Sequence, residues 1–367
     1  MLGGLLTVFF ISDIIEIDFY RSDNMSKRKA TIYDVAKKCN VSPATVSRVI
    51  NNSNYPVSAV LRNLVLDAAK ELNYTPNILG KELRTKKNTD IGVIVPNISN
   101  SYYAELLQGI ADEAAKNDFN IIVCLSNRDS KTERNNISLL YQKRVSGIII
   151  ASTGDNRDII NQVIKSGTKV LSVEEETGDK CSQIRFDYYK GMYMLCEHLI
   201  KSGHRNIGFV SAPLVRESRI EKLKAYKDCL AKYNIPYKEE YVKISSTEKD
   251  GNELYEYKNG RDMIKEFLKS ENIPTAFVCI NDITAFGVIK ELRSNGYKIP
   301  DDFSVAGYDN ISYAELSYPA LTTVDQCTYH MGVQSVRVLI DEIVNETSAK
   351  MTINFEPNLI IRDSTNN

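Results

Sequence analysis

Apolar positions follow a helical spacing near the start of the chain and gather into short runs later. In TIYDVAKKC, residues 31–39, Val35, Ala36 and Cys39 share one face, and in PATVSRVI, residues 43–50, Val46, Val49 and Ile50 do the same. Leu61, Leu64, Val65, Ala68, Ala69 and Leu72 repeat at helical spacing up to Asn73. Three short helices are therefore predicted. Thr31, with Asp34 three residues on, is close to a capping box, and Ser42 and Ser58 suit N-caps. Pro43 fits a first helical turn, and Asn40 fits a left-handed turn between the first two helices. The second helix has another face, made of Ala44, Ser47, Arg48 and Asn51: small groups with one long cation. Three helices around a small core with such a face fit a helix-turn-helix DNA reader.

Past the charged run RTKKN, residues 84–88, the pattern changes. DIGVIVP, NIIVCLS, GIIIAS and KVLSVE are nearly continuous apolar runs, separated by helical stretches such as YYAELLQGIADEAAKN and ERNNISLLYQKR. NIGFVSA, a long helix to Tyr233, YVKIS, AFVCIN and FSVAGYD follow. Buried parallel strands read this way, and the alternation predicts an α/β architecture. The chain is expected to cross between two sheets near Asp187 and again near Thr323.

Charge separates the two regions. Residues 27–87 carry 12 Lys and Arg against 4 Asp and Glu, a net of +8, in a chain whose formal charge is -1. A basic module on an acidic remainder points to a phosphate-backbone partner for the module alone. Composition, 43% hydrophobic and 25% charged, suits a soluble chain of two or three domains.

TIYDVAKKCNVSPATVSRVINN resembles the headpiece of the lactose/galactose repressor family of bacterial transcription regulators. LNYTPNILGKEL, residues 72–83, is similar to that family's hinge, and the likeness runs on to LIIRDS, residues 359–364. The resemblance implies an N-terminal all-α three-helix helix-turn-helix headpiece (27–74) and a hinge helix (75–88). A C-terminal α/β two-lobed domain of the periplasmic-binding-protein type follows (89–364). Lobe 1 is expected at about 89–188 and 324–352, and lobe 2 at about 189–323 and 353–364. The implied partners are double-stranded operator DNA, a small effector (a sugar or sugar phosphate) and a second copy of the chain, in the cytoplasm and away from membranes. By the same resemblance Pro43, Ala44 and Arg48 face base edges, with Arg48 suited to guanine O6 and N7. Thr31, Ser42, Thr45, Ser47, Asn51 and Ser58 hold phosphates. Tyr74 and Asn77 meet the backbone, Leu83 wedges into the minor groove, and Gly80 and Lys81 complete the hinge contacts. Gly80 stands where the family usually has alanine, a substitution that costs up to about 1 kcal/mol in a helix interior. Two other departures are Cys39, again in place of alanine, and one extra residue in the loop NNSNYPV, residues 51–57.

Effector candidates are sought at strand ends, where open α/β sheets bind ligands. Tyr102 and Tyr103 follow GVIVP, Arg216, Arg219 and Lys222 follow IGFVSA, Asn281 and Asp282 follow AFVC, and Tyr308, Asp309 and Asn310 follow SVAG. Asp187 and Gln326 lie at the crossovers. Acidic, amide and cationic groups among aromatic faces are what polyhydroxyl recognition requires. Each of these residues has a plainer reading as a cap or a solvated charge, and the family usually has Arg where Lys222 stands.

Other classes find little support. There is no phosphate-cradling loop, HExxH or nucleophile elbow, so no catalytic residues, metal or cofactor are assigned. The histidines are His198, His204 and His330, and His204 reads as a helix C-terminal group. Seven scattered cysteines without a CxxC pair read as reduced thiols. The opening MLGGLLTVFFISDIIEIDFYRSDN lacks a positive n-region, and Asp13, Glu16 and Asp18 break its apolar run; translation is expected to begin at Met25, with residues 1–24 an upstream read-through and residues 1–26 as a whole a non-native or disordered extension. With no heptads near the C-terminus, a dimer is expected rather than a tetramer. Two alternatives stay open: a sugar-binding receptor without DNA function, and the catabolite control protein A branch, whose corepressor is a phosphocarrier protein. ISYAELSYPALTT, residues 311–323, lacks the arginines that branch uses to hold its partner.

Overall fold

The computed structural model describes residues 30–51, 55–75, 88–152, 154–174, 180–246, 255–346 and 349–366. The expectations for the N-terminal extension and for Asn77, Gly80, Lys81 and Leu83 lie outside the described residues. The chain divides into two compact units, residues 1–86 and 87–367.

In the first unit, α1 is Ile32–Cys39, α2 Pro43–Ile50 and α3 Ala59–Glu71. Local chemistry sets their ends. The Asp34 carboxylate accepts from both the Thr31 N–H and the Thr31 hydroxyl at 2.7 Å. Asn40 turns the chain at φ 52 and ψ 46. Ser42 Oγ accepts from Thr45 N–H at 3.1 Å, and Ser58 Oγ from Leu61 N–H at 3.3 Å. Val35, Ala36, Cys39, Val46, Val49, Val65, Ala68 and Ala69 form the core, small side chains that let short helices pack closely. Leu64 departs from expectation. It is 49% exposed, because Val65, Ala68 and Ala69 set the inward stripe and Leu64 falls to its side. Its carbonyl still accepts the Cys39 thiol at 3.5 Å.

The second unit alternates strands and helices: β1 Asp90–Val95, α4 Ser101–Lys116, β2 Asn120–Leu125, α5 Ser130–Gln142, β3 Gly147–Ile150, α6 Arg157–Lys165, β4 Lys169–Val173 and β5 Ser182–Phe186. Next come α7 Tyr188–Lys201, β6 Ile207–Ser211, α8 Glu217–Lys232, β7 Val242–Ile244, α9 Tyr255–Phe267, β8 Ala276–Cys279, α10 Asp282–Ser294, β9 Ser304–Ala306 and α11 Tyr313–Leu316. The chain closes with β10 Thr323–Asp325, α12 Thr328–Val344, β11 Thr352–Phe355 and β12 Asn358–Ile360. One lobe holds a parallel sheet in the order β11-β5-β4-β3-β1-β2, and the other a parallel sheet in the order β7-β6-β8-β9. Interior strands such as β3, β6 and β8 are buried along their whole length, as strands covered on both faces must be.

The lobe boundary expected at residue 352 needs correction. Thr352–Phe355 pairs in parallel with Gln183–Phe186, so β11 belongs to the first lobe's sheet, and the last crossing follows Phe355. That crossing, β12, lies antiparallel to the crossing strand β10, with Val324 opposite Leu359. Ser364 and Thr365 then bury against the second lobe, where the Val305 N–H donates to Ser364 O at 2.8 Å.

Glycines set two helix crossings. A Cβ at Gly109 or Gly332 would strike the backbone carbonyls of Tyr329 and Leu106, so α4 and α12 meet backbone to backbone. Gly260 and Gly287 do the same for α9 and α10 in the other lobe. The His204 N–H closes the end of α7 on Leu199 O at 3.1 Å. Its ring, half-buried, joins Thr275 Oγ1 at 2.9 Å and Ser304 Oγ at 3.0 Å, so it also links the strands of the second sheet.

Candidate functional site

The exposed face of α2 carries Ala44 and Arg48, with Ser47 half-buried between them. The Asn51 amide donates to Ser47 O at 2.7 Å and reaches Ser47 Oγ at 3.2 Å. Thr45 Oγ1 lies 2.9 Å from Ser42 Oγ. The hydroxyls expected on phosphates thus first hold the helix ends in place, and Pro43 opens the helix beside them. Arg48 stands in the last turn, its guanidinium carbon 4.0 Å from the centre of the Tyr55 ring. Tyr74, just past α3, packs its half-buried ring at the edge of the headpiece core. This surface offers one long cation, small groups that permit close approach, and helix ends fixed by caps.

In the second unit a cavity of about 510 Å³, open to solvent, lies beyond the strand ends. Of the residues expected there, it gathers Tyr102, Tyr103, Arg216, Arg219, Lys222, Asn281, Asp309 and Gln326. Tyr102 and Tyr103 are 4% and 3% exposed and meet edge to face at 5.1 Å, so they form a wall rather than two free stacking faces. Asn100 and Asn281 also line the cavity while capping α4 and α10, accepting from Tyr102 N–H at 3.0 Å and Thr284 N–H at 2.9 Å.

The charges are arranged in pairs. Lys222 Nζ donates to Ile280 O at 2.9 Å and lies 3.5 Å from the centre of the Tyr308 ring and 5.3 Å from that of Tyr188. Burial pulls its ammonium down to about 8, with Asp309 opposing. Burial likewise pushes the Asp309 carboxyl well above the usual carboxylate range, against the pull of Lys222. Gln326 Nε2 donates to Asp309 Oδ1 at 2.5 Å. Asp309 holds φ 112, a backbone state L-residues rarely adopt, and Asn310 follows at φ 53. Arg219 donates to Pro213 O at 2.7 Å and to the Tyr255 hydroxyl at 3.1 Å. Across the cavity, Arg128 meets Glu256 at 3.2 Å and the Tyr103 hydroxyl donates to Glu174 at 3.1 Å.

Four expected residues do not line the cavity: Tyr308 lies under Lys222, Asn310 accepts from Arg362 at 2.8 Å, and two acids stand elsewhere. Asp187 is exposed and caps α7, accepting from Lys190 N–H at 2.8 Å. Asp282 is fully buried behind the cavity wall. Its carboxylate accepts from Ile311 N–H at 2.9 Å and Thr323 Oγ1 at 2.6 Å, and burial pushes its carboxyl up to about 7. Asp187 is thus taken up by local backbone, and Asp282 by a backbone N–H and a hydroxyl brought to it by the fold. Sequence reasoning missed Asn100, Arg128, Glu174, Tyr188, Ser218, Glu256 and Ile280. Arg128 and Glu174 follow strand ends in left-handed conformations, φ 56 and φ 71, a property that residue type does not announce.

Among the described residues no cluster of His, Cys, Asp or Glu could hold a metal ion. No described helix is long and apolar enough to cross a membrane.

Comparison with known proteins agrees with this geometry. Residues 31–77 match the bacterial regulatory proteins of the lacI family, and residues 88–361 match the periplasmic binding proteins and sugar binding domain of that family. Catabolite control protein A of Priestia megaterium is 34% identical, covering 91% of this chain and 99% of its own. The NTD biosynthesis operon regulator of Bacillus subtilis is 33% identical, with 91% and 99% covered. Among solved structures, the Lac repressor bound to ONPG in its repressed state aligns with TM-score 0.80 at 25% identity, over 92% of this chain and 100% of its own. A regulator from Enterococcus faecium with bound ribose aligns with TM-score 0.67 at 29% identity, over 75% and 98%.

Proposed function

The chain belongs to the LacI family of bacterial regulatory proteins, DNA-binding transcription regulators with a ligand-binding domain, and we propose that a sugar or sugar phosphate in the inter-lobe cavity sets its hold on a two-fold operator. One observation carries the choice of ligand. The Tyr102 hydroxyl and Gln326 Oε1 are buried against the cavity without a hydrogen-bond partner among the described residues. A buried polar atom left unpaired costs about 1–3 kcal/mol, so a ligand that supplies both a donor and an acceptor is favoured. Gln326 Oε1 needs a donor, which a sugar hydroxyl provides beside Asp309 and Lys222. The ribose bound by the Enterococcus faecium regulator supports the same class.

On this reading the protein is a repressor that acts as a homodimer in the cytoplasm and performs no catalysis. Arg48, with Pro43 and Ala44, reads base edges, while Thr31, Ser42, Thr45, Ser47, Asn51, Ser58 and Tyr74 fix the headpiece on phosphates. The phosphocarrier alternative is less well supported. Where it calls for arginines, residues 311–323 present Tyr313, Leu316 and Tyr318, which are 59%, 77% and 82% exposed.

Footprinting on the DNA upstream of its own gene, with a panel of sugars and sugar phosphates, tests the proposal. A near-palindromic protected site whose occupancy one sugar changes is expected. A site indifferent to every compound but strengthened by a phosphorylated carrier protein would overturn the sugar reading.

A further inference from the structure

We propose that Arg362 is a positioning residue for ligand binding: standing outside the cavity, it holds Asn310, and through it the backbone bend that presents Asp309 to the ligand. The inference rests on the reading of Asp309 as a ligand acceptor.

The bend joins two consecutive residues with positive φ, Asp309 at 112 and Asn310 at 53. Asparagine visits that region more readily than most L-residues, because its short amide can bond locally. Aspartate at φ 112 has no such ease. Conformations of this kind persist where the surroundings over-determine them. The main chain is tied on both sides of the bend. The Asp309 N–H donates to Val324 O at 2.9 Å, the Asn310 N–H to Thr323 Oγ1 at 3.3 Å, and the Ile311 N–H to Asp282 at 2.9 Å. The Asn310 side chain is held by Arg362, whose Nη2 donates to Oδ1 at 2.8 Å.

Arg362 is fixed in turn. It stands two residues past β12, and neither it nor Asn310 lines the cavity. Its N–H donates to Thr322 Oγ1 at 2.9 Å, and Nη1 donates to Leu321 O at 2.8 Å. The planar guanidinium thus sends two nitrogens to two acceptors at once, which the single ammonium of a lysine does not reproduce. Without this contact Asn310 is free to swing, and the Asp309 carboxylate turns away from Gln326 Nε2, which bonds it at 2.5 Å. A ligand must then restore the bend as it binds, and that ordering cost is read as lost affinity.

The full-length chain is titrated calorimetrically with ribose, glucose, galactose and the phosphates of each, with thermal melting to check folding. Arg362→Met, Arg362→Lys, Asn310→Gly and the Arg362→Met/Asn310→Gly double are compared. Glycine accepts φ 53 without strain and lacks the acceptor. Arg362→Met is expected to lose about 3- to 10-fold in affinity for the compound that wild type binds, the net worth of one hydrogen bond. Arg362→Lys should lose as much; it keeps the charge that also acts on the buried Asp282, so it separates charge from placement. Asn310→Gly should match Arg362→Met, and the double should lose no more than either. Should Arg362→Met fail to fold, Asn310→Gly alone carries the test. In an Asp309→Asn background, Arg362→Met should change nothing further. Ser364→Ala is the control for mere anchoring of the terminal segment. Its hydroxyl bonds Val305 O at 2.6 Å and Thr322 N–H at 2.8 Å, so Tm should fall while affinity holds. Wild-type affinity in Arg362→Met or Asn310→Gly, full rescue by lysine, additive losses in the double, or an equal loss in Ser364→Ala would overturn the proposal. If wild type binds no compound of the panel, or Asp309→Asn binds as wild type does, the reading of the cavity or of Asp309 itself fails, and the role of Arg362 with it.

Discussion

The ammonium of Lys222 lies 3.5 Å from the centre of the Tyr308 ring, and the next residue in the chain, Asp309, is its carboxylate partner. A cation, an aromatic face and an acid are thus stacked at the floor of the cavity, with Gln326 bonded to the acid at 2.5 Å. A ligand hydroxyl arriving here meets an acceptor and a cation already oriented by one another. Asp309→Asn keeps the shape but replaces the carboxyl with an amide, which has one accepting oxygen instead of two. It should leave folding and operator binding intact while raising the effector concentration for half-response about 10-fold, the loss of one hydrogen-bond acceptor to the ligand. Titration of operator release by the effector found in footprinting measures this, and an unchanged midpoint would remove Asp309 from the site.

Arg48→Ala should cost about 1–3 kcal/mol at one operator base pair and relax specificity there. Competition binding with singly substituted operators is the measurement. Equal weakening on all sequences would make Arg48 a phosphate contact.

Asp282 gives a pH dependence of defined sign. Its carboxyl is raised from 3.8 to about 7 in the folded protein, so between those values the folded state binds the more protons. This group's contribution to stability therefore falls as pH rises from about 4 to about 7. Asp282→Asn cannot titrate, and its amide offers one accepting oxygen where the carboxyl has two, so either the Ile311 N–H or the Thr323 hydroxyl loses its acceptor. The variant should be less stable than wild type, with the gap in Tm larger at pH 5 than at pH 8. A gap that stays constant across that range would show the carboxyl ionised throughout.

Gly332→Ala should destabilise the ligand-binding unit by about 1–3 kcal/mol, since the new methyl meets the Leu106 carbonyl and the helices α4 and α12 must part. Urea unfolding of the full chain, followed in the transition of this unit, reads the change. Stability equal to wild type would mean the crossing relaxes at no cost.

Tyr313, Leu316 and Tyr318 form an exposed apolar group of the kind that pairing of subunits covers. Leu316→Asp should shift the light-scattering mass at micromolar concentration from dimer toward monomer and weaken operator binding, with effector binding retained. A dimer mass in the variant would place the subunit contact elsewhere.

The headpiece was legible because its signals are local. Asp34 bonds Thr31 three residues away, Ser42 bonds Thr45, and Asn40 turns the chain by itself. The apolar runs likewise announced the strands, but not always their burial: β2 and β7 lie at sheet edges and are only half-buried, with Val123 41% exposed. The cavity was only half legible. Arg128 and Glu256 meet across 128 positions of sequence, and nothing near either one marks the encounter. Asp187 and Asp282 look like ligand acids in sequence, yet Asp187 is occupied by the main chain three residues on and Asp282 by Ile311 N–H and the Thr323 hydroxyl, 29 and 41 residues away. The lobe boundary expected at residue 352 cuts through β11 because that strand is half-buried at a sheet edge, where the apolar pattern is weakest.

Two of the three passages between the lobes, β10 and β12, are zipped to each other by antiparallel pairing, and the Asp309 N–H is fastened to this ribbon through Val324 O at 2.9 Å. They cannot flex separately. Opening and closing the clamshell must twist the pair as one strap, and Asp309 and Gln326 ride on that strap rather than on either shell. A molecule held by those two side chains would therefore bear on the ribbon that joins the lobes as well as on the cavity wall.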